Sequence, residues 1–341
     1  MVLNNSTLSQ LGKSGLRINH AVVGTMLLTV DVKDGVGWGE VGETESLKIL
    51  KKCYDEGLRT FDTADAYTNG GGERIIGKFL KHYNIPREDV VIMTKCYFSA
   101  VDFKGGDPDV LDFNHRGLSR RHILDAVKGS VERLGTHIDL LQIHRLDEDV
   151  PKEEIMRALN DVVESGQARY LGSSSMKVYQ FIELQHTAEI HGWHKFISMQ
   201  SLYNLLYRED ERELNEYCNK TGVGLIPWSP NARGLLALPF NSEKTQEKLK
   251  NNIITTILGL DIEQDKVIIN RVEELSKKLG CEMVEVSSAW LRAKGAHPII
   301  GVTLEDAVDS IVKMANIKLT DEQVKYLEEP YRAKPSAFLV R

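Results

Sequence analysis

The sequence predicts an α/β fold, a (β/α)8 or TIM barrel with long loops at its C-terminal face. Short apolar runs alternate with helical patterns along the 341 residues, and there are eight such runs. The runs are continuously apolar, as is typical of parallel strands covered by helices. Three of the runs also end in polar residues that can move a proton, at the position where barrel enzymes carry their active sites.

The eight apolar runs are the predicted barrel strands. They occupy residues 21–24, 60–61, 90–94, 140–143, 170–171, 196–199, 223–227 and 298–301. Helical patterns separate them, so consecutive strands are expected to lie side by side and parallel.

Several helices are marked at their first residue. Ser119 is a predicted N-cap for the apolar stripe over residues 123–134. Pro151 fits the first turn of the next helix. We expect further helices to begin near Glu209 and at Thr303.

Two long segments interrupt this alternation, at residues 98–118 and 240–264. Both follow predicted strands, and we expect them to be loops that bind ligand at the C-terminal face, because long loops in compact domains are usually functional. The glycines at 70–72 do not have the spacing of a phosphate loop and predict a turn before a helix at Glu73. With no repeat or linker, residues 1–341 are expected to form a single domain with its core at about 8–333.

Composition excludes several classes of function. The net charge of −6 argues against a nucleic-acid surface. The sequence contains no run of about 18 apolar residues, so no membrane span is expected. Residues 1–7 lack the charged and apolar regions of a signal peptide, so no secretory signal is expected. The four cysteines include no Cys-x-x-Cys pair, which favours reduced thiols and a cytoplasmic protein. His186, His191 and His194 lack metal-ligand spacing and are expected to face solvent, so no metal site is predicted. The sequence also gives no sign of an obligate protein partner.

Four polar residues form the candidate site. Asp62, Lys95 and His144 each follow a predicted strand, and Tyr67 comes five residues after Asp62. Because an ammonium stabilises a phenolate, Lys95 is expected to lower the pKa of Tyr67, with Asp62 holding the lysine. This set suits proton transfer to a carbonyl oxygen, while an organic cofactor brings the hydride. Asp65 is treated as structural.

The chain resembles the aldo-keto reductase superfamily, nearest to its fungal aryl-alcohol dehydrogenase-like and aldehyde reductase branch. Residues 61–67, Phe-Asp-Thr-Ala-Asp-Ala-Tyr, and residues 140–145, Leu-Leu-Gln-Ile-His-Arg, carry this resemblance. It implies that Tyr67 is the general acid, that Lys95 lowers its pKa, and that Asp62 anchors Lys95. His144 would orient the substrate carbonyl.

The resemblance also implies a set of cofactor-binding residues. They are Thr25, Met26, Asp62, Ser174, Ser175, Gln200, Trp228, Ser229, Asn231, Arg233 and Thr303. The nicotinamide carboxamide would bind at the two serines and the glutamine, the tryptophan would stack on its ring, and the pyrophosphate would lie at residues 229–233. Ser175 stands where most of the superfamily has asparagine.

The resemblance implies NADP(H) as the cofactor. Residues 301–310, where the family carries basic residues for the 2′-phosphate, contain no Lys or Arg. The helix N-terminus at Thr303 favours an anion, but Glu305, Asp306 and Asp309 oppose it. NAD(H) therefore remains an alternative.

The expected activity is reduction of aldehydes or ketones to alcohols. The substrate pocket is predicted to be aromatic and apolar, which suits aromatic or medium aliphatic aldehydes. Its residues are Met26, Leu27, Tyr67, Tyr97, Phe98 and His144. One alternative is a redox-sensing regulatory subunit of the same fold, which would keep these residues but turn over slowly. Hydrolase or isomerase chemistry would need paired carboxylates or a metal, and the sequence offers neither.

Overall fold

Eight parallel strands surround the centre of the molecule. The computed structural model describes residues 8–31, 40–100 and 113–336. An antiparallel hairpin, β1 (Leu8–Gln10) and β2 (Arg17–Asn19), precedes the barrel. The barrel strands are β3 (Val22–Gly24), β4 (Thr60–Asp62), β5 (Val91–Cys96), β6 (Ile138–Ile143), β7 (Ala168–Ser174), β8 (Phe196–Gln200), β9 (Gly224–Leu225) and β10 (Ile299–Gly301).

The sheet closes on itself. Its strands pair in the order β10, β3, β4, β5, β6, β7, β8, β9. A parallel bridge joins Leu225 to Ala296, and the His297 backbone N–H donates to Leu225 O at 2.8 Å. The Ile299 N–H donates to Pro227 O at 3.0 Å, so β9 and β10 meet and the barrel is complete. The predicted (β/α)8 fold is confirmed.

Helices pack around the sheet. They are α1 (Glu43–Asp55), α2 (Gly71–His82), α3 (Arg120–Leu134), α4 (Lys152–Glu164), α5 (Val178–His191), α6 (Leu214–Thr221), α7 (Glu243–Leu249), α8 (Asn252–Leu258), α9 (Ile262–Leu279), α10 (Met283–Ala293), α11 (Asp306–Met314) and α12 (Asp321–Glu328). None of these described helices is long and apolar enough to cross a lipid bilayer.

The predicted strands are all present, with shifted ends. β4 includes Asp62, and β5 runs through Lys95 to Cys96, two residues beyond the apolar run. The polar side chains near the strand ends point into the barrel and pair with one another. The hydrogen bonds between the strands continue past the apolar residues. β9 is only two residues long, shorter than the predicted 223–227.

Some helix predictions are confirmed and others are wrong. Ser119 caps α3, because its hydroxyl accepts from the His122 N–H at 3.2 Å. The segment 240–264 is not a loop: α7 and α8 lie there, with Ser242 capping α7. The polar composition of this segment gives little indication of these two short helices. Of the segment 98–118, residues 101–112 lie outside the described residues.

Three predicted helix starts move by a few residues. Glu209 begins a single 3-10 turn (Glu209–Arg212), and α6 follows at Leu214. α11 begins at Asp306, three residues after Thr303. α2 begins at Gly71, because Gly70 takes a left-handed φ of 81° that only glycine adopts readily.

The hairpin closes the N-terminal end of the barrel. Leu11 and Ile18 are fully buried against a small apolar cluster inside the strands, which includes Met93, Leu140 and Ile226. That end is therefore packed core, and a ligand can enter only from the opposite mouth. The four cysteines are free thiols, of which Cys281 alone is partly exposed.

Candidate active site

The four predicted polar residues meet at the C-terminal mouth of the barrel. Asp62 ends β4, Lys95 is the next-to-last residue of β5, and His144 directly follows β6. Tyr67 lies in the connection from β4 to α2. All four are buried, with exposed fractions from 0% for Lys95 to 8% for Tyr67. These residues are far apart in the sequence, and the parallel register of β4, β5 and β6 brings them together.

Lys95 is the centre of the cluster. Its Nζ lies 2.5 Å from Asp62 Oδ1 and 3.3 Å from the Tyr67 hydroxyl. A third bond, of 2.8 Å, runs to the Thr63 carbonyl oxygen. An ammonium has three donors, so every N–H of the buried lysine is used.

The second oxygen of Asp62 is held by two glutamines. Gln142 Nε2 and Gln200 Nε2 each donate to Asp62 Oδ2 at 3.0 Å. Gln200 Nε2 also donates to Gln142 Oε1 at 2.9 Å. A buried carboxylate needs such donors beside its counter-charge, since burial of an unsatisfied charge is costly.

The pKa values follow from burial and from the ion pair. Burial alone would lower the pKa of Lys95, but the charges and hydrogen bonds of Asp62 and Tyr67 together outweigh it, and the pKa is raised above its ordinary value. Burial raises the pKa of Tyr67, and the Lys95 ammonium offsets only part of that rise. Lys95 therefore lowers the pKa of Tyr67 as predicted, but burial outweighs it and the net shift of the tyrosine pKa is upward. The reason is that removing a phenolate from water costs more here than one shared ammonium returns.

His144 is neutral in this setting. Burial lowers its pKa well below the ordinary value, and the charges of Lys95 and Arg145 act in the same direction. Its ring lies 5.9 Å from the Tyr67 ring and 5.1 Å from the Phe98 ring. Nδ1 of His144 has no hydrogen-bond partner among the described residues. The imidazole thus keeps hydrogen-bonding capacity and lies among aromatic side chains.

Aromatic side chains line one side of the mouth. Tyr97 and Phe98 pack edge to face, with ring centroids 5.0 Å apart, directly after β5. Phe98 remains 37% exposed, and Met26 and Leu27 after β3 are partly exposed. Four of the six predicted pocket residues, Tyr67, Tyr97, Phe98 and His144, thus border one another.

Part of the predicted cofactor set converges beside the cluster. Thr25 is buried, and its hydroxyl donates to the Asp62 carbonyl oxygen at 3.1 Å. Ser174 Oγ donates to the Gln200 carbonyl oxygen at 2.8 Å and lies 3.2 Å from Ser175 Oγ. Trp228 Nε1 donates to Ser175 Oγ at 3.1 Å. Hydrogen bonds thus link the two serines and Trp228 to Gln200, which donates to Asp62, while Thr25 reaches Asp62 from the other side.

The connection after β9 has an unusual backbone. Ser229, Ala232 and Arg233 have φ values of 51°, 47° and 57°, in the left-handed region that residues other than glycine seldom adopt. The Ser229 carbonyl accepts from Asn204 Nδ2 at 2.9 Å, and Asn231 Oδ1 accepts from Ser287 Oγ at 2.6 Å. Backbone strain of this kind concentrates at functional sites.

The remaining cofactor prediction, Thr303, lies apart from the cluster, in the connection from β10 to α11. Near it, the Asp309 carboxylate forms an ion pair with Lys52 Nζ at 2.9 Å. Lys52 belongs to α1, so a basic group does lie beside the acidic start of α11. The sequence could not show this, because the two residues are far apart in the chain.

Two further residues at the site were missed by the sequence analysis. Gln142 lies within a predicted apolar strand, where a lone amide can indicate a polar contact inside the barrel. Arg145 Nη1 donates to the His144 carbonyl oxygen at 2.6 Å and so lies beside the mouth. Asp65 is almost fully buried, and burial raises its pKa well above the ordinary value.

The buried ion pair gives a stability prediction. Lys95→Met should lower the free energy of unfolding by about 3–5 kcal/mol, because it leaves the Asp62 carboxylate buried without a counter-charge. Adding Asp62→Leu should recover part of the loss. Urea unfolding followed by circular dichroism measures both. Lys220→Met is the matched control, since this lysine is 74% exposed in its pair with Glu216. Equal losses for the two lysines would contradict the prediction.

Comparison with known proteins places the chain in a family. The aldo/keto reductase family model matches residues 22–332. Versiconal hemiacetal acetate reductase of Aspergillus parasiticus is 50% identical over 337 residues, covering 96% of this chain and 97% of that protein. A protein of Saccharomyces cerevisiae provisionally named aryl-alcohol dehydrogenase is 50% identical over 333 residues, covering 95% and 96%. An aldo-keto reductase of Fusarium vanettenii is 42% identical over 339 residues, covering 95% and 91%.

The family match spans nearly the whole barrel, and the relatives align over almost their full length. Proteins of this family generally use NAD(P)H. The chain belongs to the aldo/keto reductase family and is an oxidoreductase.

Proposed function

We propose that this protein reduces aldehydes and ketones to alcohols with NADPH as the hydride donor. One observation carries the proposal: the Tyr67 hydroxyl lies 3.3 Å from the Lys95 ammonium, which is paired with Asp62 at 2.5 Å. A phenol beside a buried ammonium is suited to donate a proton during the reaction, because the ammonium stabilises the phenolate that forms. The names of the fungal relatives support the same class of reaction.

Tyr67 acts as the general acid. When bound, NADPH supplies a hydride to the carbonyl carbon. Tyr67 donates its hydroxyl proton to the carbonyl oxygen, where negative charge develops. Its raised pKa keeps the phenol protonated before reaction. Lys95 then stabilises the phenolate, and Asp62 keeps the ammonium in place.

His144 orients the carbonyl. Its pKa is too low for it to be charged near neutral pH, so it donates a hydrogen bond without competing as an acid. The carbonyl oxygen would lie between this imidazole and the Tyr67 hydroxyl. The edge-to-face packing of Phe98 on the His144 ring keeps the ring from turning away.

The residues beside the cluster fit a nicotinamide dinucleotide. Gln200 uses its amide nitrogen on Asp62 and Gln142, which leaves its amide oxygen to accept from the carboxamide, beside Ser174 and Ser175. Arg233 is a cation with no carboxylate partner among the described residues, which suits a pyrophosphate. Trp228 offers a partly exposed aromatic face for the ring.

We propose NADP(H) over NAD(H) on the strength of the family resemblance and of Lys52. This lysine pairs with Asp309 and so offsets part of the acidic charge at the start of α11. Glu305 and Asp306 remain unfavourable for a 2′-phosphate, which keeps NAD(H) as the alternative.

The general-acid role gives a direct test. Tyr67→Phe should keep cofactor binding and lose about 10²-fold or more in kcat, the range for a lost general acid. Steady-state reduction of an aldehyde, with fluorescence titration of NADPH, measures both. Tyr179→Phe is the control, because this tyrosine is 51% exposed on α5. Unchanged turnover in Tyr67→Phe would remove Tyr67 from the mechanism. A wild-type protein that retains its cofactor and turns over very slowly would favour the regulatory subunit instead.

The cofactor is tested by titration with NADPH and NADH side by side. We expect NADPH to bind more tightly. Arg233→Leu should weaken both by a similar factor, since both carry the pyrophosphate. Arg169→Leu, an exposed arginine on β7, should change neither. Tighter binding of NADH would reverse the proposed cofactor.

The lining of the mouth favours aromatic or medium aliphatic aldehydes over sugars, since Tyr97, Phe98 and Met26 offer apolar surface. Assays with substituted benzaldehydes and with glucose should give a higher kcat/KM for the benzaldehydes. A preference for glucose would contradict the proposed substrate class.

A further inference from the structure

We propose that Gln142 is a positioning residue for the proton-transfer cluster: it fixes Asp62 from two strands away and couples it to Gln200, the predicted carboxamide contact. This inference rests on the proposed reductase function. Gln142 touches neither substrate nor cofactor in that proposal, and it acts through its two neighbours.

The carboxylate of Asp62 has two different sides. Oδ1 faces Lys95, and Oδ2 accepts from both Gln142 and Gln200 at 3.0 Å. A carboxylate that bonded only to Lys95 could rotate about its terminal torsion, which is broad. The two amides on Oδ2 remove that freedom. They therefore determine where Oδ1 lies, and through it where the ammonium meets Tyr67.

The barrel is built so that Gln142 can make this reach. It pairs in register with Lys95 on β5 and with Gly172 on β7. A Cβ atom on Gly172 would lie 2.9 Å from Gln142 Cγ and 2.5 Å from Ser198 Oγ. The missing side chain on β7 is thus the space through which the amide passes from β6 to Gln200 on β8. Asp62 lies on β4, on the opposite side of the barrel from β8.

A neutral group with one donor and one acceptor, such as this amide, satisfies both neighbours. Gln142 Nε2 donates to Asp62 while Gln142 Oε1 accepts from Gln200 Nε2 at 2.9 Å. An apolar side chain would leave one carboxylate bond and one amide bond unmade in a fully buried place. Among the described residues, the charged groups near this amide are Asp62 and Lys95, with Tyr67 beyond them. β7 and β8 contribute the neutral residues Gly172, Ser198 and Gln200.

The consequence should be seen in kcat and in its pH dependence. If Gln142 only filled space, its loss would change stability and leave the chemistry as it was. If it positions Asp62, its loss should misplace Lys95 relative to Tyr67, and small misplacements cost up to about 10²-fold in rate. Substrate KM should change little, since the pocket residues Tyr97, Phe98 and His144 are untouched.

Gln142→Glu is the decisive variant, because it keeps the shape and makes one atom titratable. While protonated, the new carboxyl donates to Asp62 and accepts from Gln200, as the amide does. When it ionises it loses the donor and places a second negative charge beside Asp62, which raises the pKa of the Tyr67 phenol and weakens proton donation. Because burial and the Asp62 charge both raise the pKa of this new carboxyl, we expect kcat near the wild-type value up to neutral pH, with a new descending limb at alkaline pH. Gln142→Leu should lower kcat at every pH.

Gln185 supplies the matched control. It is also a buried glutamine with two hydrogen bonds, to the N–H and the carbonyl oxygen of Phe196, both at 2.9 Å. It lies on α5, outside the barrel. Gln185→Glu and Gln185→Leu should lower thermal stability and leave the kcat pH profile of folded protein unchanged. Gly172→Ala should imitate Gln142→Leu, since its methyl group would displace the Gln142 side chain.

The outcomes separate this inference from the proposed function. The experiment is a kcat and KM pH profile of each variant, with melting temperatures, in a benzaldehyde–NADPH assay. A new descending limb in Gln142→Glu that Gln185→Glu lacks supports the positioning role. An unchanged kcat in folded Gln142→Leu or in Gly172→Ala overturns it, while an active wild type and an inactive Tyr67→Phe leave the reductase intact. If Gln142→Leu does not fold, the other two variants decide. An inactive wild type would refute the proposed function itself.

Discussion

The buried ion pair between Lys95 and Asp62 is the constraint on which the rest of the site depends. Both side chains are nearly inaccessible to water, with exposed fractions of 0% and 3%. An ion pair in such a place is tolerated only when the remaining donors and acceptors are also satisfied. The Thr63 carbonyl, the Tyr67 hydroxyl and two glutamine amides supply those partners. A single pair of charges thus accounts for the presence of Tyr67, Gln142 and Gln200 around it.

The same burial determines how the tyrosine can act. A phenol in this place has a raised pKa, although an ammonium lies beside it. It is therefore held in the protonated form, which is the form that a general acid needs at the start of a reduction. The ammonium matters at the moment when the proton leaves, because it is already in position to stabilise the phenolate and needs no reorganisation. Burial and charge thus have separate parts in the proposed mechanism.

The two ends of the barrel are built for different purposes. At the N-terminal end, the hairpin β1–β2 seals the interior with apolar side chains such as Leu11 and Ile18. At the C-terminal end, residues with left-handed backbone, among them Ser175, Ser229 and Arg233, bring serine and arginine groups around the mouth. Strained backbone of this kind clusters at functional sites, and the packed N-terminal end leaves the C-terminal mouth as the side where a ligand binds.

The sequence by itself determined the barrel, its eight strands, and the positions of Asp62, Lys95 and His144 near strand ends, because apolar runs and strand ends are local patterns. The family was also recognisable from short motifs around Tyr67 and His144 and is confirmed by the comparisons. Tertiary structure decided which groups touch. Gln142 lies in an apolar run, and only strand register and the gap above Gly172 show that it reaches Asp62. The direction of the Tyr67 pKa shift and the pairing of Lys52 with Asp309 likewise depend on burial and on contacts between distant residues, which no local pattern records.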